Sequence, residues 1–172
     1  MKPFGYKLRI ELFLIVMFFL VPIFLPLFNW GFQPSLSEFH YTSQKWTYII
    51  SMGIIALLMA LDGLLFNTRR YNILIGLSMI GVLLFPVNEF INIHNSFAIM
   101  FFVGNAFIVT YYSKLLPRSK KVLFSLIISI TLSLLILGKI NIYVTELIGM
   151  WSMSYFMYIR YSILELRRKT FV

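Results

Sequence analysis

The sequence contains no cysteine. That excludes disulfides, thiolate catalysis and zinc–thiolate sites, and leaves the redox compartment undetermined. Charge is scarce as well: 12% of residues are charged, where a soluble domain has about a quarter. There is no glycine-rich phosphate loop, no Walker pattern and no G-x-S-x-G elbow. Neither H-E-x-x-H nor E-x-x-H occurs, so no metal site announces itself. No solenoid-type or inverted repeat is visible, which leaves a transporter built from duplicated halves with little support.

What the chain has is apolar surface. Of its 172 residues 60% are hydrophobic, and the mean hydropathy is +0.86. A core of this size cannot hide so much apolar area from water, so lipid must cover the rest. The net charge of +9 does not point to nucleic acid. The basic residues fall in short clusters between apolar runs, as topology signals do.

The chain centres on the stretch Asp62 to Thr110, where two apolar runs are separated by the polar step Asn88 to Asn95. Runs of about 20 residues match a bilayer. The pattern predicts an all-α integral membrane bundle of six transmembrane helices in a single domain, residues 1–172. The spans fall at about 8–28, 46–66, 72–90, 96–113, 122–137 and 142–161. The first run is too long for a signal-peptide core, and no small-x-small cleavage site follows it, so it reads as a retained span.

Pro22 and Pro26 interrupt the first span; membrane helices tolerate proline when neighbours re-satisfy the freed carbonyls. The loop 29–44 holds Glu38, His40 and Tyr41 with the aromatics Trp30, Phe32 and Phe39, as an interfacial belt does. Gly76, Ser78 and Gly81 would let another helix approach span three closely, and Pro86 is expected to bend its last turn. Gly138 to Asn141 reads as a tight turn, and a basic tail from Arg160 to Lys169 closes the chain.

Six spans with both termini in the cytoplasm (N-in/C-in) put thirteen basic residues inside: Lys2, Lys7, Arg9, Arg69, Arg70, Lys114, Arg118, Lys120, Lys121, Arg160, Arg167, Arg168 and Lys169. Only Lys45 and Lys139 remain outside. The bias agrees at every loop.

Few polar residues compete for a functional role. Asp62 lies about one turn inside the basic boundary. As an intramembrane carboxylate it is a candidate proton or cation site, with a structural ion pair to Arg69 or Arg70 as the plainer reading. Asn105, near the midplane, reads as helix–helix glue. Glu89, His94, Glu146 and Lys139 fall at the outer ends of spans three to six. They are candidates for an outward-opening polar pocket in which Glu146 meets Glu89 or His94. The alternatives are a hydrogen-bonded rim of separate helix caps and, more remotely, a metal site. No catalytic residue and no metal-ligand set is assigned, and no cofactor is implied.

The segment Gly76–Gly81, Phe85-Pro86, His94 and Ala98–Gly104 resembles the DRAM/Frag/Sfk-like small six-span membrane proteins and their bacterial relatives. That resemblance implies a six-helix bundle in a bacterial-type cell membrane, with lipid or trafficking roles in some members. It supplies no catalytic set.

The expectation is a non-enzymatic, multi-pass protein that binds membrane lipids, a second copy of itself or another membrane protein. A small channel or transporter using Asp62, Asn105 and Glu89 is the first alternative. An intramembrane enzyme with an outer Glu/His pocket is the second.

Overall fold

The computed structural model describes residues 4–28, 31–65, 70–112 and 117–170. Lys2, Trp30, Arg69 and Lys114, named above, lie outside the described residues. The helices are α1 (Phe4–Phe28), a 3-10 helix (Leu36–Tyr41), α2 (Lys45–Leu65), α3 (Tyr71–Leu84), α4 (Ile91–Tyr112), α5 (Arg118–Ile136) and α6 (Ile142–Thr170). The fold is all-α. Among the described residues three helices have the length and apolar composition to cross a membrane: Arg9–Phe28, Lys45–Leu65 and Arg118–Ile136. A chain in hydrocarbon must bond its own backbone groups, and long apolar runs do so as helices.

Two boundaries differ from the sequence expectation. Pro86 does not bend the end of a helix; α3 has already stopped at Leu84. Phe85 takes φ −112°, ψ 86°, because a residue before proline is kept out of the helical region. Glu89 and Phe90 then donate their amides to Pro86 O at 3.1 and 2.9 Å, and α4 starts at Ile91, so His94 lies within its first turn. With 14 residues, α3 is only about 21 Å long, short of a hydrocarbon core of about 30 Å. The second difference is at the C-terminal end, where the expected basic tail continues α6 as helix to Thr170.

Local chemistry explains the sharp turn between α5 and α6. Gly138 has φ +65°; its amide bonds Leu135 O at 3.0 Å and the Lys139 amide bonds Leu134 O at 2.9 Å. This is the paired C-terminal cap that favours glycine in the left-handed region. Asn141 Oδ1 then accepts from Val144 N at 2.8 Å and starts α6.

Each helix packs on its neighbours in sequence, and α6 returns to α1. The closest approach is α2 on α3. A Cβ placed on Gly76 would stand 2.6 Å from Ala56 O and 2.8 Å from Ala60 N, so only a hydrogen fits there. Gly81 similarly leaves room for the Phe97 ring of α4. Ser78 is buried, and its hydroxyl bonds back to Leu74 O at 2.7 Å. Phe18 and Phe101, both buried, stack across the middle with centroids 6.4 Å apart. On α5 only Phe124 and Thr131 are buried among the described residues.

The two prolines of α1 determine how α6 docks. Pro26 has no amide to offer Pro22 O, and the Tyr143 hydroxyl of α6 donates to that carbonyl instead. Trp151 Nε1 donates to Phe19 O at 3.2 Å, and Ser154 Oγ to Ile15 O at 2.9 Å. α6 thus lies antiparallel to α1, bonded to backbone oxygens along its length.

Candidate functional site

Four helices contribute to a buried polar group at the end where α2 meets α3. Glu11 of α1 is fully buried and Arg160 of α6 is nearly so. Arg160 Nε and Nη2 both reach Glu11 Oε1 at 2.5 Å. Its Nη1 lies 3.4 Å from the Tyr71 hydroxyl of α3, and its guanidinium sits 5.8 Å from the centroid of the Phe156 ring. Next to Tyr71, Asn72 donates Nδ2 to Asp62 Oδ2 of α2 at 2.6 Å, and both are buried. Asp62 therefore points into the bundle and has an amide partner. Arg160, counted above as the first residue of a basic tail, is instead an interior cation. A buried charge needs a partner and further hydrogen bonds; Arg160 finds Glu11 on α1 and the Tyr71 hydroxyl on α3.

The outer residues have separate partners. Glu146 Oε2 accepts the Leu36 amide at 2.6 Å. Leu36 opens the 3-10 helix, whose N-cap Ser35 makes no side-chain cap bond; Ser35 Oγ bonds Ser37 Oγ at 2.8 Å instead. The Glu146 side chain takes the cap's place, 110 residues away in sequence. Tyr48 and Tyr143, both buried, stand within reach of its charge. His94 is buried, with Nδ1 2.8 Å from Phe85 O. That carbonyl is free to accept because the helix has ended. Glu89 is exposed on the turn, near His40, and the adjoining Asn88 amide donates to the Tyr41 hydroxyl at 3.0 Å. Lys139 is exposed at the α5–α6 turn.

Among the described residues the hydrogen bonds do not bring Glu146 together with Glu89 or His94; Glu146 and His94 each bond a backbone group. Among the described residues no three His, Asp or Glu side chains group as metal ligands do. His40 is partly buried rather than solvated. Burial pushes its imidazole below the ordinary 6.5, Lys45 adds to the effect, and Glu89 opposes it.

Asn105 does not bridge helices through its amide nitrogen. Nδ2 donates to Phe101 O of its own helix at 2.8 Å, the back-bonding open to short polar side chains.

Three cavities lie elsewhere, on the outer surface beside α6. One, of about 270 Å³, runs between α5 and α6. Two more, of about 430 and 470 Å³, lie along α1. All three include Trp151 in their walls.

Residues 20–161 match the family described as "Family of unknown function (DUF7103)". The chain belongs to that family. No curated protein and no solved structure matches the chain. The DUF7103 stretch takes in Pro22, Asp62, Asn72, Tyr143, Glu146 and Arg160, whereas Glu11 precedes it.

Glu11 is the residue that sequence reasoning missed. Its signal was a carboxylate two positions after Arg9 at the start of an apolar run, which is unusual enough in a span to require a partner.

Proposed function

We propose that this protein is a non-enzymatic multi-pass membrane protein that binds lipid, or a membrane partner, along α6. In this reading the chain crosses six times with both basic termini on the cytoplasmic side. The observation that carries it is the set of three apolar grooves meeting at Trp151. In a bilayer they open toward acyl chains. Concave, mostly apolar surfaces with a few polar groups are where such ligands bind.

The alternatives have less support. Asp62, Asn105 and Glu89 have three unconnected sets of partners, and stacked phenylalanines occupy the middle of the bundle. Glu146 and His94 each bond a backbone group rather than one another, so the hydrogen bonds do not support the outer Glu/His pair as joint acid and base.

Native mass spectrometry of the protein released from its membrane tests the reading. Retained lipid or a co-purifying membrane protein is the expected result, and release with neither overturns it. The topology has its own check. Ser43→Cys and Ser119→Cys, both at exposed positions and introduced singly, should label from opposite faces, and labelling from one face would rule out six spans.

A further inference from the structure

Resting on the lipid-binding reading and deepening it, we infer that the groove between α5 and α6 holds one acyl chain of an anionic phospholipid, with its phosphate on Lys120. The groove follows α6 from Ile148 to Ile159, about 16 Å at the helical rise. Phe124 and Phe156, both buried, contribute to its lining. Leu123 and Ile127 line it from α5.

Its size selects the occupant. Spread over about 16 Å of helix, its volume of about 270 Å³ suits a slender occupant. One extended chain fits it.

The charge is at one end. Lys120 lines the groove, with Nζ 3.4 Å from the Tyr155 hydroxyl and 5.9 Å from the centroid of its ring. Among the described residues no carboxylate pairs with it. Arg118 and Lys121 flank it in the first turn of α5, where the helix dipole adds positive field. On α6, Glu165 has contacts of its own, and Arg160 is committed to Glu11. A phosphate with net negative charge complements this end. A zwitterionic head group would bring a second cation into it.

Trp151 lines this groove and the two along α1, so substitutions at Lys120 and Ile127, which line this groove and neither of those two, assign its signal. With Trp30→Phe and Trp46→Phe, Trp151 becomes the single tryptophan of a chain that has three. The full chain would be reconstituted in vesicles carrying brominated phosphatidylglycerol or brominated phosphatidylcholine at equal mole fraction, with acyl-chain bromine as the quencher. The expected result is about a fivefold preference for the anionic lipid, the factor that corresponds to roughly 1 kcal/mol per lysine near a surface. Lys120→Gln should remove most of the preference, Lys120→Arg should keep it, and Ile127→Phe should weaken quenching by both. Equal quenching in the parent, or a preference that Lys120→Gln leaves undiminished, overturns the assignment. If native mass spectrometry still finds retained lipid in that case, only this groove is wrong; if it finds neither lipid nor partner, the broader reading fails as well.

Discussion

Removing either member of the Glu11–Arg160 pair strands a charge in the interior. Glu11 has no exposed side-chain surface and Arg160 has 6%, so water cannot take the missing partner's place. Glu11→Ala and Arg160→Met should each cost about 3–5 kcal/mol, the range for breaking a buried pair from one side. Arg160→Met also forfeits the contact with the Phe156 ring, about 0.5–2 kcal/mol. The double variant should recover most of the loss, since replacing both members by apolar groups is often neutral or stabilising. The interaction energy in the double-mutant cycle is therefore expected to be several kcal/mol, well above the roughly 0.5 kcal/mol at which independent sites add. Arg160→Lys should fall between, because an ammonium cannot send one fork to Glu11 and another nitrogen toward Tyr71. Unfolding in mixed micelles, followed by circular dichroism across all four variants, measures the cycle. Single losses below about 1 kcal/mol, as exposed pairs give, or simple additivity would refute the reasoning.

Other outcomes follow from single contacts. Tyr143→Phe removes the donor to Pro22 O and should cost about 1–3 kcal/mol for an unpaired buried carbonyl; the same unfolding assay reads it, and no loss would mean another group replaces the hydroxyl. Gly76→Ala should destabilise by about 1–3 kcal/mol through overpacking, because its Cβ meets the α2 backbone. Gly104→Ala should be milder, since its Cβ would stand 3.5 Å from Ile75 Cδ1. His40 supplies a pH dependence. Its folded pKa lies below 6.5, so its contribution is complete above 6.5 and is lost as pH falls through the folded value. Protection of the Leu36–Tyr41 amides, taken relative to the intrinsic exchange rate at each pH, should therefore fall between neutral and mildly acidic pH, and His40→Gln should flatten that slope.

The sequence by itself determined the helices, several of their ends and the need for close contacts. Apolar runs, the cap pair Gly138 and Asn141, and the small residues of α3 act over a few positions, so their consequences are legible locally. Pro22 and Pro26 likewise announced that carbonyls would need donors. Only the tertiary structure decided who the donors and partners are. Tyr143 and Pro22 are 121 residues apart, and Arg160 and Glu11 are 149 apart. A helix apolar almost all round, such as α1, carries no polar face to show which side meets the bundle. The end of α3 illustrates the same divide. Pro86 was visible, but stopping the helix before it exposes the Phe85 carbonyl, and that carbonyl, together with the Leu36 amide, draws His94 and Glu146 to separate backbone groups rather than to each other. Unpaired backbone groups buried away from water must find partners, and which side chain reaches them depends on how the helices pack.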